Sequence, residues 1–337
     1  MNVSNNVGDS LTDVNLGAEV ETRLLQFVND KSAFSENTWI NMVSTMRIWG
    51  VFAQKHGYTW FPAKPEHIRE WINSMDADGL AATTIKARIN SLSILYKHTG
   101  FDSPVADQLV KRGLRIVNRE HVMDGEKQGQ AIPFRRADLE ALAGVWADSP
   151  RLSELRDLAF MGVAYNTMLR VAEVARIRVR DVRFNQAGAL IEVGHTKTSL
   201  TSTGIVKSLS PTVANFVRKW IEVAGLADKR DSMLFCRVHR VNKAIPTEKA
   251  MTNPNTIAIF ERAWIALDKP YEDANKGRYE TWTGHSARVG AAHDLLEAGV
   301  SLEQIMLEGN WSSPDMVLYY LRHALAGQSK LTRLLSE

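Results

Sequence analysis

Two short motifs bring together charged side chains that could bind an anion. In LRVAE, Arg170 and Glu173 stand three residues apart, and in GHSARVG the same spacing separates His285 from Arg288. On a helix this spacing places both members of a pair on one face. The first pair could equally be a surface ion pair. The second pair begins a predicted helix, where two cations would oppose the helix dipole unless an anion were bound there.

A lysine and two tyrosines add groups capable of acid–base or nucleophilic chemistry. Lys197 lies in GHTKTSLTSTG, a loop expected between two strands, where a lysine is most often simply solvated. Tyr319 and Tyr320 stand side by side on a short predicted helix, with Ser313 as its N-cap and Pro314 as its first residue. The stripe expected to face the protein body is Val317, Tyr320, Leu321 and Ala324. Taken alone, either tyrosine could pack in a core or act as a nucleophile.

The elements that must position these groups begin with helices in the first third of the chain. Ser35 is a predicted N-cap, and Pro65 is predicted in the first turn of the next helix. Gly57, Gly79 and Gly100 each follow a stretch with helical periodicity, which is typical of a helix end. The first third is therefore predicted to be all-helical.

A fourth helix and a linker follow. The helix SPVADQLVKRGLRIVNREH has Val105, Leu109 and Ile116 on its expected apolar side. The next segment, 122–131, holds two glycines and few apolar side chains, which is typical of a linker. Beyond a further helix the period changes, since RIRVRDVRF alternates and both ALIEVG and GIVKSLS are strand-like. The sequence predicts a mainly α, two-domain protein whose second, α+β domain contains a small antiparallel sheet.

Composition and charge exclude several classes of protein. Apolar residues make up 45% of the 337 residues, enough for two packed cores, and the formal net charge is a mild +3. The single cysteine, Cys236, excludes an internal disulfide and a paired-cysteine metal site, and suits a reducing compartment. No apolar run approaches the roughly 18 residues that span a bilayer. The polar stretch 1–20 is expected to be a flexible tail rather than a signal peptide.

Together, LRVAE, HTKT, GHSARVGAA and GNW…YYL resemble the motifs of the tyrosine site-specific recombinases, the phage integrase family. AFSENTW, WFPAKPE and LFCRV extend the resemblance, in order, from about residue 20 to the C-terminus. It implies a helical core-DNA-binding domain over 21–121 and a catalytic domain over 132–326. It also implies an active site in which all seven positions hold the family's residue types: Arg170, Glu173, Lys197, His285, Arg288, Trp311 and Tyr320.

The implied reaction is attack of a tyrosine oxygen on a DNA phosphodiester, which leaves a 3′-phosphotyrosine and a free 5′-hydroxyl. Because the covalent link keeps the bond energy, no ATP, metal or other cofactor is implied. Arg170 and Arg288 would hold phosphate oxygens, helped by the tryptophan and histidine, while Glu173 would orient a neighbouring group. Lys197 would protonate the leaving oxygen. In the family the nucleophile lies nine residues after the tryptophan, which selects Tyr320.

Double-stranded DNA with inverted-repeat arms around a short spacer is the partner that the resemblance implies. Phosphate contacts are predicted for eight basic residues, the last three in an expected loop: Lys86, Arg88, Lys111, Arg115, Arg119, Arg237, Arg240 and Lys243. Base contacts are predicted for Asn41, Asn253 and Asn255. The alternative for the basic residues is a plain solvated surface.

The resemblance also implies assembly. A homodimer would occupy one DNA site, and a homotetramer would form the synapse, with segment 327–337 docking on a neighbouring protomer through Leu331, Leu334 and Leu335. Self-docking is the alternative. The protein is expected in a bacterial cytoplasm, at the nucleoid, encoded by a bacterium, phage or plasmid.

Two other functions compete with recombination. A DNA-binding protein could keep the fold without strand exchange, but the complete set of seven residues opposes it. A type IB-like topoisomerase or a telomere resolvase would use similar chemistry, but the extensive match in the flanking sequence opposes it.

Overall fold

The computed structural model describes residues 17–126, 129–194, 204–271 and 279–327. The chain forms two compact units, residues 1–128 and 129–337, and the division falls inside the segment predicted as a linker. Lys197 and residues 328–337 of the C-terminal segment lie outside the described residues. The first helix begins at Ala18, so the last three residues of the predicted tail are helical.

The described residues of the first unit form five α-helices around one apolar core. Ser35 caps the second helix, because its hydroxyl accepts a hydrogen bond from the Thr38 N–H at 3.2 Å. Trp49, Trp71 and Ile89 are fully buried between the helices. The helices are α1 (Ala18–Asn29), α2 (Glu36–Lys55), α3 (Pro65–Ala77), α4 (Ala82–Thr99) and α5 (Gln108–Met123).

Helix α5 buries a different face from the one predicted. Its buried residues are Val110, Gly113 and Val117, while Ile116 is 45% exposed. The reason is a close approach to α3, since a Cβ atom on Gly113 would lie 2.7 Å from the Arg69 Cδ atom. The helix therefore packs through its smallest residue, and the prediction based on apolar side chains alone was wrong about this face.

The second unit begins with helices and a three-stranded antiparallel sheet in the order β1–β2–β3. Ile191 pairs with Val182 on one side and Lys207 on the other. Only the second half of RIRVRDVRF is a strand, because Val179–Asp181 forms a 3₁₀ turn. The elements are α6 (Arg136–Trp146), α7 (Leu152–Thr167), α8 (Val171–Val174), β1 (Val182–Asn185), β2 (Gly188–Val193), β3 (Ile205–Leu209) and α9 (Pro211–Val223).

The remaining described residues of the second unit form a hairpin and four helices. The expected loop around Arg240 is a two-stranded hairpin, so Arg237 and Lys243 lie on strands, contrary to the prediction. None of the helices in the described residues is long and apolar enough to cross a membrane. The elements are β4 (Arg237–His239), β5 (Lys243–Ile245), α10 (Asn253–Ala266), α11 (Ser286–Glu297), α12 (Leu302–Gly309) and α13 (Pro314–Gly327).

A buried ion triad joins α7 to α10. Asp157 is fully buried. Its Oδ1 accepts a hydrogen bond from Arg156 Nη2 at 2.7 Å, and its Oδ2 accepts one from Arg262 Nε at 2.8 Å. Arg156 is itself buried and donates to the Cys236 carbonyl oxygen at 3.3 Å. The triad holds α10 against the central helix, and α10 begins with the predicted DNA-contacting residue Asn253.

Removing the central carboxylate should destabilise the second unit strongly. Asp157→Ala leaves a buried guanidinium without its counter-charge, which costs about 3–5 kcal/mol of unfolding free energy. The matched control is Asp148→Ala, which removes an exposed ion pair with Lys219 and should cost under about 1 kcal/mol. Urea unfolding followed by circular dichroism measures both, and equal losses in the two variants would contradict a structural role for the triad.

Candidate active site

The site starts where α7 ends and α8 begins. Arg170 directly precedes α8. Its backbone N–H donates to Glu173 Oε2 at 2.9 Å, and its guanidinium Nη1 donates to Glu173 Oε1 at 3.0 Å. Glu173 is only 5% exposed, whereas the Arg170 side chain is 30% exposed. The buried carboxylate therefore fixes the direction of a guanidinium that still reaches solvent.

Arg288 lies in the first turn of α11 and is almost completely buried. Its Nη1 donates to the Met168 carbonyl oxygen at 2.8 Å, and its Nη2 donates to the Gly309 carbonyl oxygen. Met168 adopts a left-handed backbone conformation with φ 53°, which is uncommon for a residue with a side chain. Arg170 follows two residues later in the chain. The same bend therefore presents a carbonyl oxygen to Arg288 and leads into the segment that carries Arg170.

Trp311 forms the floor beneath Arg288. The guanidinium carbon lies 4.3 Å from the centroid of the indole ring. Asn310, directly after α12, has a left-handed backbone conformation, and the backbone N–H of Trp311 donates back to the Met306 carbonyl oxygen at 3.0 Å. A Cβ atom on Gly309 would lie 2.1 Å from the indole Cζ3 atom, so the ring can occupy this place only beside a glycine.

Tyr320 is the tyrosine that faces this cluster. It lies half-buried on α13, with its ring centroid 6.1 Å from that of Trp311. Burial raises the pKa of the phenol, and the positive charges of Arg288 and Arg170 act in the opposite direction. The Tyr319 ring lies 5.9 Å from the Tyr320 ring, and its hydroxyl donates to the Gly129 carbonyl oxygen at 3.0 Å. The two tyrosines thus have different surroundings.

The electrostatics of the site favour an anion. Burial and, to a smaller extent, the neighbouring charge of Arg170 lower the pKa of Arg288 to about 10, although Glu173 and Tyr320 act to raise it. Two guanidinium groups in a partly buried site repel each other, and a bound anion would relieve this repulsion. A phosphate group, which has several oxygens for planar guanidinium donors, fits this arrangement.

Glycines bring the histidine motif close to the other elements. His285 is the N-cap residue of α11 and is exposed. Its backbone N–H donates to the Thr283 hydroxyl at 3.3 Å. A Cβ atom on Gly284 would lie 2.6 Å from Val171, the first residue of α8, so this turn packs directly beside the Arg170 motif. The structure therefore brings together Arg170, Glu173, His285, Arg288, Trp311 and Tyr320 on neighbouring elements of one unit.

Sequence reasoning missed Lys207. It lies on β3, and its Nζ donates to the Glu308 carbonyl oxygen at the end of α12. Burial lowers the pKa of this lysine, with Arg288 acting in the same direction and Glu308 and Glu173 opposing. The short alternating strand gave no signal of this contact, because its partner lies about 100 residues away in the sequence.

The predicted DNA-binding residues lie on the surfaces of their units. Arg88 is half-buried, and the other ten are exposed. The basic residues of α5, at positions 111, 115 and 119, follow one side of the helix because they recur every four residues. Among the described residues, none of the eight predicted phosphate-binding cations forms an ion pair with a carboxylate.

Comparison with known proteins identifies the family. Residues 135–326 match the phage integrase family. The recombinase Cre of Escherichia phage P1 is 37% identical over 95% of this chain and 93% of its own length. An integrase/recombinase XerD homologue of Selenomonas ruminantium is 26% identical over 80% of this chain and 76% of its own length.

A solved structure has the same fold. The Tn1549 transposon integrase in complex with transposon right end DNA superimposes with a TM-score of 0.60 at 17% identity, over 89% of this chain and 94% of that one. The chain belongs to the phage integrase family of tyrosine recombinases.

The contact between Gly309 and Trp311 can be tested by a double-mutant cycle. Gly309→Ala should lower the unfolding free energy by about 1–3 kcal/mol, because the added methyl group collides with the indole ring. The loss should shrink when Trp311→Ala is also present, since the collision partner is gone. Gly144→Ala, at an exposed helical position with open space around it, is the control and should not destabilise. Strictly additive losses would rule out the contact.

Proposed function

We propose that this protein is a site-specific DNA recombinase that cuts and rejoins strands through a covalent bond between Tyr320 and a 3′-phosphate. The observation that carries the proposal is the half-buried Tyr320 beside Trp311, in the field of Arg288 and Arg170. The tyrosine oxygen forms a bond to phosphorus, the bond to the 5′-oxygen breaks, and that oxygen takes up a proton. A 5′-hydroxyl of the partner DNA then reverses the step.

The magnitudes are compatible with this chemistry. A phenol with a pKa near 10 costs about 4 kcal/mol to ionise at pH 7, and burial of Tyr320 adds to that cost. Each well-aimed donor to the developing charge contributes roughly 3–4 kcal/mol. Arg170 and Arg288 are such donors, so together they can offset the ionisation. Lys197 is our candidate for the acid that protonates the leaving oxygen, and His285 for a phosphate donor or proton shuttle.

The charge distribution supports DNA as the partner. Eight basic side chains on α4, α5 and the β4–β5 hairpin carry no carboxylate partner among the described residues, whereas arginines elsewhere, such as Arg135 and Arg262, are paired. Uncompensated cations are what phosphate binding requires. Exposed Asn41, Asn253 and Asn255 are candidates for base contacts. With this function, the protein would act on DNA in a bacterial cytoplasm.

A cleft in the second unit supports assembly on DNA. It has a volume of about 880 Å³ and an apolar floor that includes Leu139, Val213 and Phe216. The cleft is lined by three carboxylates and one arginine, so its charge is net negative. The C-terminal segment has three leucines that match the apolar floor, and Lys330 and Arg333 that match the negative charge. We propose that this segment of a neighbouring protomer occupies the cleft. Such an arrangement would link two protomers on one site and four in a synapse of two sites.

Trapping the covalent intermediate tests the reaction. When the DNA is nicked near the cleavage site, the short fragment that carries the released 5′-hydroxyl diffuses away, so the strand cannot be rejoined. The covalent protein–DNA adduct should then accumulate and be visible on a denaturing gel. Tyr320→Phe should abolish the adduct, because no oxygen is left to attack, while Tyr319→Phe should still form it. Since the target is unknown, it is first selected from random DNA using the Tyr320→Phe protein.

Two controls make the result decisive. Tyr320→Phe should still bind the selected DNA, and its affinity should fall steeply with salt because phosphate contacts release counterions. Binding without any adduct in the unaltered protein would overturn the recombinase proposal in favour of a DNA-binding protein. Relaxation of supercoiled DNA without exchange between two sites would favour a topoisomerase. An adduct that is abolished in Tyr319→Phe but still forms in Tyr320→Phe would contradict our assignment of the nucleophile.

Mixing two defective chains tests the cleft. Deleting residues 328–337 removes the segment, and Phe216→Asp places a charge in the apolar cleft, so each variant alone should bind DNA only as isolated protomers. A mixture should recover dimers on one site, because one chain keeps the segment and the other keeps the cleft. Sedimentation of the DNA complexes measures this. If the mixture stays monomeric, the segment does not dock between protomers.

A further inference from the structure

The first residues of the second unit are bonded directly to the two tyrosines. The Gln130 side-chain Nε2 donates to the backbone carbonyl oxygen of Tyr320 at 2.7 Å. In the opposite direction, the Tyr319 hydroxyl donates to the Gly129 carbonyl oxygen at 3.0 Å. These contacts join positions 190 residues apart in the sequence. The chain entering this unit is therefore fastened to α13 by two hydrogen bonds at adjacent residues.

A second donor meets the same carbonyl group. His293 Nε2 lies 2.9 Å from the Tyr320 carbonyl oxygen, and because a carbonyl only accepts, this nitrogen must carry the proton. His293 is buried on α11, five residues after Arg288 on the same helix. The backbone of Tyr320 is thus tied both to the entering chain and to the helix that carries an arginine of the site.

Folding stability does not explain the choice of glutamine at position 130. Its Oε1 atom is buried and has no hydrogen-bond partner among the described residues. A buried acceptor left unpaired is costly, and an apolar side chain of similar shape would avoid it. Gly129 is also constrained, since a Cβ atom there would lie 2.4 Å from the Tyr279 ring. The clear function of residues 129 and 130 is therefore to place the Gln130 amide donor against the Tyr320 carbonyl oxygen.

We propose that Gln130, His293 and Tyr319 are positioning residues that set the place of the Tyr320 hydroxyl. The inference rests on the proposed role of Tyr320 as nucleophile. An attacking oxygen must lie in line with the bond that breaks, and small displacements of a reacting group lower rates steeply. The carbonyl contacts fix the Tyr320 backbone, from which the side chain projects.

Single-turnover cleavage of nicked DNA at saturating protein tests the proposal. Gln130→Leu and Tyr319→Phe should each slow adduct formation about tenfold. The dissociation constant for DNA and the unfolding midpoint should stay close to those of the unaltered protein. His293→Gln keeps a side-chain N–H donor and should cleave faster than His293→Leu. Tyr58→Phe, which removes a hydroxyl bonded to Glu70 in the first unit, is the matched control and should cleave normally.

Each outcome is decisive. Unchanged cleavage rates in both Gln130→Leu and Tyr319→Phe would overturn the inference. So would slower cleavage that is matched by an equal loss of DNA affinity or by a lower unfolding midpoint, because the residues would then be merely structural. Failure of the unaltered protein to form any adduct would instead contradict the proposed function itself.

Discussion

The buried guanidinium of Arg288 is the group on which the rest of the site depends. It bonds the carbonyl oxygens of Met168 and Gly309 and lies on the face of Trp311, so one side chain joins the ends of α7 and α12 to the start of α11. Arginine can do this because its planar fork offers several donors and a stacking face at once. Lysine has neither the fork nor the stacking surface, so it could not hold all three elements.

Glycine makes these close approaches possible. Gly290 lets α11 lie against the backbone of Phe134, where a Cβ atom would be 1.7 Å from the carbonyl oxygen. Gly309 admits the indole ring, and Gly284 admits the turn that carries His285. All three glycines lie on or next to elements that carry a charged or aromatic group of the site. Their positions explain why glycine occurs in the GHSARVG and GNW motifs, beside His285, Arg288 and Trp311.

Structural features that depend on neighbouring residues in the sequence were predicted well. Features that depend on contacts between distant residues were not. The Ser35 cap and the pairing of Arg170 with Glu173 follow from spacing within one turn, and the structure has both. The buried face of α5 did not follow, because it depends on where Arg69 of another helix lies. Lys207 and Gln130 carried no signal, since each bonds a carbonyl oxygen far away in the sequence. Lys197, expected from resemblance, lies outside the described residues and stays a prediction.

The charge balance constrains how the proposed nucleophile loses its proton. Burial raises the pKa of Tyr320, so at neutral pH the phenol is uncharged in the free protein. A bound phosphodiester brings a negative charge beside the arginines and weakens their pull on the phenol. Phosphate binding alone therefore does not favour a phenoxide, and the phenol still carries its proton when the phosphate arrives. The tyrosine then has little reactivity until a phosphate lies in line with it, which is why the placement of its backbone matters as much as the charges around it.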